Sequence, residues 1–132
     1  MTQDNAEQNT RHLQALFEAF NRHDIDAVMS FFAEDCVFFG AAGNEAFGTQ
    51  FEGTAAIAQA FVQVWTNLPD VQWRNPRHFS TGDFGLSEWT FTGTRPDGKR
   101  IEVQGCDLFR FRNGKIVSKD AYRKERPLLE PA

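Results

Sequence analysis

The sequence predicts an α+β fold in which three N-terminal helices pack against one face of a curved, mainly antiparallel sheet. Helical patterns dominate residues 10–70, whereas alternating apolar and polar residues, broken by turn sequences, occupy residues 71–124. The regular βαβ alternation that is typical of a parallel sheet is missing. We expect a single domain over residues 1–132, with a core at about 10–125 and short polar tails.

The three helices are predicted from apolar spacing and from capping residues. Apolar residues recur at intervals of three and four across residues 10–22, which predicts an amphipathic helix. Asp24 is the predicted cap of a second helix that ends near residues 33–35, and Thr54 of a third that ends at residues 67–70. The predicted apolar faces contain Leu13, Leu16, Phe17 and Phe20, then Ile25, Val28, Met29 and Phe32, and then Ile57, Phe61, Val64, Trp65 and Leu68.

The strands are predicted from β-branched and aromatic segments that end at turn sequences. Residues 36–43 predict a short buried strand that leads into a flexible loop. Three or four further strands are expected, at residues 71–79, 85–94, 100–112 and 116–124. The turns between them contain Thr81-Gly82-Asp83, Pro96-Asp97-Gly98-Lys99 and Asn113-Gly114. Both residues of the last turn can take a positive φ, which favours a two-residue hairpin.

The composition indicates a folded protein with an excess of phenylalanine. Phe occurs 14 times among the 132 residues, against three Trp and one Tyr, which excludes an intrinsically disordered chain. The uncharged stretches at 36–44 and 53–69 are too short or too polar to span a bilayer, and the N-terminus lacks a signal-peptide pattern. We therefore expect a cytoplasmic protein without a membrane partner, in which Cys36 and Cys106 are reduced thiols.

The charges are distributed unevenly along the chain. Residues 1–70 hold two basic and ten acidic side chains, and residues 71–132 hold twelve basic and eight acidic ones. In the second half the two signs interleave and form no basic stripe, which favours a solvated sheet face over a nucleic-acid surface. Motifs for a metal site, a nucleotide site or a serine nucleophile are lacking, so we expect no cofactor and no metal.

Asp107 interrupts an apolar row in the predicted strand 100–112. The residues that share its side of the strand are Ile101, Val103, Gly105, Phe109 and Phe111. This parity places a carboxyl group beneath the helices, where it needs a partner or a donor. Two interpretations remain open. Asp107 is a proton-transfer or hydrogen-bond-donating acid, or it is a structural Asp satisfied by a buried Arg, a Trp N–H or a backbone amide.

Residues 89–122 resemble the C-terminal half of SnoaL-like proteins. The segment contains the elements W-x-x-x-G-T, D-G-K, G-x-D-x-F-R-F and x-G-K-I, and residues 20–38 and 51–58 are similar to the opening of the same family. The resemblance covers about residues 10–125. It implies the cone-shaped α+β barrel of the nuclear transport factor two superfamily, which also holds ketosteroid isomerases, polyketide cyclases and limonene-epoxide hydrolases.

Within this resemblance, Asp107 matches the catalytic Asp of the SnoaL-type cyclases and the oxyanion-hole Asp of the isomerases. Other positions depart from the relatives. The isomerases carry a base Asp where this chain has Gly40, and an oxyanion Tyr where it has Leu16. The epoxide hydrolases carry an Asp where Ala121 stands, and the neighbouring Asp120 points to the opposite face. The resemblance therefore favours cyclase-like chemistry by a single acid/base over these two activities.

The inward positions are expected to form an apolar substrate pocket around Asp107. The candidate substrate-binding residues are Leu16, Phe20, Phe38, Gly40, Phe61, Trp89, Phe91, Val103 and Phe109, and the candidate helpers are His78, Lys119 and Arg123. The Trp89 indole is expected to form a pocket wall, or to donate to a substrate oxygen or to Asp107. On the last strand, parity leaves open whether the inner face holds Val117, Lys119, Ala121 and Arg123 or holds Ile116, Ser118, Asp120 and Tyr122. If the first set is inward, Lys119 or Arg123 can pair with Asp107 and keep it ionised, as a base.

The sequence therefore predicts a cofactor-independent isomerase, cyclase or lyase. The enzyme would act on a hydrophobic, carbonyl-bearing small molecule by proton transfer at Asp107. The alternative is a non-catalytic module that binds a lipophilic ligand or mediates dimerisation. The resemblance implies a homodimer through the outer sheet face, where Cys106 and Leu108 are expected to lie.

Overall fold

Three helices pack on one face of a six-stranded sheet in this computed structural model, which describes residues 2–132, with side chains from residue 5. The predicted α+β class is confirmed. The helices are α1 (Thr2–Asn21), α2 (Ile25–Met29) and α3 (Thr54–Asn67), and the strands are β1 (Phe32–Phe39), β2 (Gln50–Glu52), β3 (Gln72–Thr81), β4 (Phe84–Thr94), β5 (Arg100–Arg112) and β6 (Lys115–Arg123).

The sheet is curled and open. Its strand order is β2-β1-β6-β5-β4-β3, so β2 and β3 lie at opposite edges without pairing. All neighbours are antiparallel except β1 and β6, which run parallel. This arrangement agrees with the expected cone shape. None of the helices in the described residues is both long and apolar enough to cross a membrane.

The first two helices differ from the prediction at their ends. α1 begins at Thr2, eight residues before the predicted start at residue 10. The prediction missed this first part of the helix because residues 2–9 are mostly polar and show no apolar periodicity. Asp24 caps α2 as predicted, and its carboxylate accepts a hydrogen bond from the Ala27 amide at 3.1 Å. The predicted end of α2 near residue 33 is wrong, since the helix ends at Met29. Phe32 fits the helical spacing but is the buried first residue of β1.

The start of α3 and the short strand before it also differ from the prediction. Thr54 is the first helical residue, and the N-cap is Gly53, whose φ of +83° suits glycine and which makes no side-chain cap bond. β2 was not predicted, because three residues are too few to show a pattern. It pairs with β1 so that Phe51 lies opposite Phe38, with ring centroids 5.5 Å apart.

The remaining strands agree closely with the prediction. The bounds of β5 are confirmed, and those of β3, β4 and β6 lie within two residues of the predicted ends. The turn between β5 and β6 is also confirmed, with a φ of 52° at Asn113 and 79° at Gly114. β3 contains an irregularity between Arg74 and Arg77, with a φ of 52° at Asn75. This break in the register changes which side chains of β3 face the helices.

Candidate active site

Asp107 lies on the inner face of β5, beneath the helices, and its side chain is 0% exposed. In the sheet it pairs with Ser87 on β4 and with Ala121 on β6. Phe109, the next inward residue of β5, is buried as well. The burial predicted from the alternation of this strand is therefore confirmed. A carboxyl group at such a position requires hydrogen-bond donors, because its solvation by water is lost.

Two side chains from the neighbouring strands donate to Asp107. The Trp89 indole Nε1 on β4 donates to Oδ2 at 2.9 Å, and the Lys119 Nζ on β6 donates to Oδ1 at 3.0 Å. The Lys119 side chain is only 7% exposed, so this is a buried ion pair. Donors on both oxygens match an ionised carboxylate, which is an acceptor only. The partners considered for a structural Asp were a buried Arg, a Trp N–H and a backbone amide. The structure has the Trp N–H, and the cation that pairs with Asp107 is Lys119 and not an Arg.

Gly105 allows the Trp89 ring to reach Asp107. Gly105 lies opposite Trp89 in the β4–β5 pair. A Cβ at residue 105 would lie 2.6 Å and 2.7 Å from two ring atoms of Trp89 and would also collide with the Tyr122 carbonyl oxygen. The indole therefore occupies space that a side chain would fill at any other residue type. The close approach of ring and backbone determines where the indole N–H points.

A bulge in β6 places Lys119 inside the fold. Arg110 pairs with Ser118, whereas the adjacent Phe111 pairs with Ile116, so Val117 is an extra residue in β6. As a result Ile116 and Lys119 are both buried, although they have opposite parity. The inward face beyond the bulge holds Lys119, Ala121 and Arg123, while Tyr122 is 53% exposed on the outer face. The inner face thus contains members of both sets that the sequence left open.

Aromatic rings surround the Lys119 ammonium group. Its Nζ lies 4.5 Å from the ring centroid of Phe38, 5.4 Å from that of Phe61 and 5.6 Å from that of Phe20. The negative faces of these rings stabilise a desolvated cation. Phe20 and Phe61 come from α1 and α3, and Phe38 comes from β1. The folding of three separate elements therefore creates the environment of this one cation.

An apolar cavity of about 80 Å³ adjoins the Asp107–Lys119 pair. It is lined by Phe20, Phe38, Ala41, Phe61, Val64, Trp73, Trp89, Phe91, Asp107, Lys119, Ala121 and Arg123. Pockets for drug-sized ligands are usually about 300–1,000 Å³. The cavity is not enclosed and is smaller than this range, so a drug-sized ligand would extend beyond it. The carboxylate and the ammonium group are the polar groups that converge at its inner end.

Five of the nine predicted substrate-binding residues line this cavity, namely Phe20, Phe38, Phe61, Trp89 and Phe91. The other four lie elsewhere. Leu16 is fully buried in the core, and Phe109 packs edge-on against Phe17. Val103 is partly buried against the core, and the Gly40 amide closes a loop by donating to the Thr49 carbonyl at 2.8 Å.

Sequence reasoning missed Trp73, Val64, Ala41 and Ala121 as lining residues. Trp73 and His78 have opposite parity in β3, yet the register break between Arg74 and Arg77 lets both contact α1. The positive φ that allows this break was not visible in the sequence, because Asn75 precedes a proline inside an apparently regular strand. Val64 is on the predicted apolar face of α3, so the spacing of apolar residues in this helix could have identified it as a lining residue.

His78 lies outside the cavity and is hydrogen bonded to a buried serine. Its Nδ1 is 2.8 Å from the Ser87 Oγ, and Ser87 is 0% exposed. The imidazole packs against the Phe17 ring, with centroids 5.5 Å apart. His78 is therefore separated from Asp107 by Ser87, the cross-strand partner of Asp107. Burial lowers the pKa of His78 from its ordinary value of 6.5, and Glu18 opposes this effect more weakly.

The lowered pKa of His78 predicts a loss of stability in mild acid. Below about pH 6.5 the unfolded chain binds a proton at this residue that the folded chain does not, so the free energy of unfolding decreases as the pH falls towards the folded-state pKa. In the variant His78→Gln this contribution should be absent. Urea denaturation at mildly alkaline and mildly acidic pH measures it as the difference between the two proteins. An identical pH dependence in both would contradict the prediction.

Among the side chains that the structure describes, no three His, Cys, Asp or Glu residues gather into a group that could hold a metal ion. The two cysteines are separate free thiols, with Cys36 buried and Cys106 partly exposed. Desolvation by burial is the largest cause of the raised pKa of each thiol. Neither cysteine lines the cavity beside Asp107.

Several solved structures share this fold. A candidate polyketide cyclase from Xanthomonas campestris is 27% identical, with a TM-score of 0.80 over 91% of this chain and 93% of that one. A nuclear transport factor two-like protein from Mesorhizobium loti is 26% identical, with a TM-score of 0.76 over 91% and 93%. A candidate polyketide cyclase from Pseudomonas putida is 20% identical, with a TM-score of 0.74 over 88% and 91%.

A search of the curated proteins finds no match to this sequence. The family model of the SnoaL-like domain, in contrast, matches residues 13–119. This range begins within α1 and ends at Lys119, so it includes Asp107 and both side chains that donate to it. The chain therefore belongs to the SnoaL-like family within the nuclear transport factor two-like superfamily.

Proposed function

We propose that this protein is an enzyme of the isomerase or cyclase type, in which Asp107 moves a proton next to a carbonyl group of a hydrophobic small molecule. The observation that carries the proposal is a buried carboxylate that adjoins an apolar cavity and is hydrogen bonded to an ammonium group at 3.0 Å. Family membership and the 27% identity to a candidate polyketide cyclase support this reaction class.

The proposed reaction needs a base and a nearby donor. Asp107 removes a proton from the carbon next to the carbonyl group, and the electron pair moves onto the carbonyl oxygen as an enolate. An ammonium group has three N–H donors, of which Lys119 uses one for Asp107, so another is free to bind the developing oxyanion. The proton then returns from Asp107 to carbon in an isomerisation, or to the new alkoxide after ring closure.

Lys119 takes over a role that a phenol fills in the ketosteroid isomerases. The isomerase tyrosine position is Leu16, which is completely buried in the core. The only tyrosine of the chain, Tyr122, is exposed on the outer face of the sheet and donates to Asp120 at 3.3 Å. A cation at the centre of three rings is a stronger donor than a neutral hydroxyl group. The pocket is therefore suited to a single base paired with a cationic donor.

A second candidate function is a non-catalytic module that binds a lipophilic ligand. It is favoured by the two hydrogen bonds that already satisfy Asp107 and by the small volume of the cavity. In such a module the Asp107–Lys119 pair would be a structural element of the core. The two functions differ in one measurable property, since only the enzyme exchanges a carbon-bound proton of its ligand.

Hydrogen–deuterium exchange next to a carbonyl group tests the proposed function. Cyclohexanone and β-tetralone are incubated in D₂O with the protein, and the loss of the α-proton signal is followed by NMR. The enzyme should accelerate exchange in a saturable way, and the acceleration should disappear in Asp107→Asn. Binding of these ketones without accelerated exchange would overturn the enzyme proposal in favour of the binding module.

We also propose that two copies of the chain associate through the outer face of the sheet. Phe79, Leu86 and Leu108 are cross-strand neighbours on β3, β4 and β5. Each of them is next in sequence to an inward residue, which is His78, Ser87 or Asp107. Because successive side chains of a strand point to opposite faces, the three form an apolar row on the outer face. Phe79 is 50% exposed, and a second copy would remove it from water.

Light scattering at micromolar concentration should give a mass of about twice the 15.0 kDa of one chain. Leu108→Asp introduces a charge into the apolar row and should shift the mass towards that of a single chain. A wild-type mass near 15.0 kDa would contradict the dimer.

A further inference from the structure

We infer that Arg123 binds an acidic group of the substrate, a carboxylate or a stabilised enolate or phenolate, at the mouth of the cavity. This inference deepens the proposed function and rests on it. The ionisable residues that line the cavity are Asp107, Lys119 and Arg123. The first two neutralise one another, so the cavity carries one positive charge that its own walls do not compensate.

Arg123 has no acidic partner within residues 5–132. The ion pairs that the structure describes involve other residues, and the Arg123 guanidinium makes none of the side-chain hydrogen bonds found there. A guanidinium group presents five N–H donors in a planar fork, which fits a carboxylate in a bidentate manner. Donors that have no protein acceptor and lie beside a cavity are available to a ligand.

The Arg123 guanidinium is held in place by an aromatic wall. Its Cζ lies 4.5 Å from the ring centroid of Phe91, and that ring packs edge-on against Trp73 with centroids 5.4 Å apart. Stacking over the ring leaves the N–H edge of the guanidinium available. Arg123 is two residues beyond Ala121, the partner of Asp107, and therefore lies about 7 Å along β6 from that position. The acidic group and the reacting carbon of the substrate would be separated by a few bonds.

Arg123 also lies at the boundary between the cavity and the outside. Ala41, Ala121 and Arg123 line both the inner cavity and an open groove of about 600 Å³ beneath the loop of residues 40–48. Arg123 is exposed, so an incoming anion can reach it. A substrate larger than the 80 Å³ cavity can place its acidic group at Arg123 and extend its remaining atoms into the groove. This position favours selection of acidic substrates over neutral ones.

Benzoate and benzamide test the inference, because they share a shape and differ in charge. Calorimetric titration should show that the wild type binds benzoate about tenfold more tightly than benzamide, as expected for a charge-assisted hydrogen bond. Arg123→Gln should bind both equally. The matched control is Arg110→Gln, since the Arg110 guanidinium also lies over a ring, 5.8 Å from Phe84, but outside the cavity. This control should keep the tenfold preference.

The outcomes separate this inference from the proposed function. Equal affinity for the two probes in the wild type, no benzoate binding at millimolar concentration, or loss of the preference in Arg110→Gln would each overturn the role of Arg123. Asp107→Asn should bind benzoate at least as tightly as the wild type, because it removes a negative charge from the cavity. If the preference is lost only in Arg123→Gln while ketone exchange is never accelerated, the acidic-ligand site stands and the enzyme proposal fails.

Discussion

Asp107→Asn should slow the exchange of ketone α-protons by about 10²–10⁴-fold, the usual contribution of a positioned general base. The amide group has nearly the shape of the carboxylate but cannot accept a proton from carbon. Both neighbours of residue 107 are donors, and an amide has only one acceptor atom, so either Trp89 or Lys119 loses its partner. We expect the free energy of unfolding to fall by about 1–3 kcal/mol, which urea denaturation measures in parallel with the exchange rate.

The matched control for this variant is Asp120→Asn. Asp120 is on the outer face of β6, where its carboxylate accepts a hydrogen bond from Tyr122. Asp120 lines the outer groove but not the cavity, so its substitution removes the same charge without altering the cavity and should leave the exchange rate of the small ketone cyclohexanone unchanged. An Asp107→Asn protein that is folded and fully active would contradict the role of this residue. Equal losses in the two variants would attribute the effect to net charge instead.

The sequence predicted the burial of Asp107 because one strand contains all the necessary information. β5 alternates over its whole length, and parity alone assigns each of its side chains to a face. Parity on β4 likewise placed Trp89 inside, whereas the face of Lys119 on β6 could not be assigned in this way. Lys119 reaches the carboxylate only because Val117 forms a bulge, and a bulge reverses the parity of every residue that follows it. The pairing of strands that creates the bulge is a property of the folded sheet.

The same reasoning explains which walls of the cavity were predicted. Phe20 and Phe61 lie on strongly amphipathic helices and were identified from spacing. Ala41 follows β1 in a loop without periodicity, and the irregularity at Asn75 moves Trp73 and His78 to the same side of β3. Local sequence pattern thus predicts faces of regular elements. The volume of the cavity depends on how the edges, loops and bulges bring those faces together.

Lys119→Met should destabilise the protein by about 3–5 kcal/mol, because it leaves the Asp107 carboxylate buried without a counter-charge. Methionine nearly matches the length of the lysine side chain and keeps its contacts with Phe20, Phe38 and Phe61. The loss should therefore come from the unpaired charge. Urea denaturation measures it. Lys124→Met, at an exposed position just after β6, should change the stability by less than about 0.5 kcal/mol.

The double variant Asp107→Asn/Lys119→Met distinguishes a charge effect from a packing effect. With the carboxylate absent, the Asn oxygen can still accept from the Trp89 indole, and no charge remains to be compensated. The double variant should lose less stability than the sum of the two single variants, with a coupling energy of about 1–3 kcal/mol between the two residues. Additive losses would show that the pair does not interact as the 3.0 Å contact requires. Ketone exchange should stay lost in the double variant, because it lacks both the proposed base and the proposed donor, so recovered stability would separate folding from the proposed chemistry.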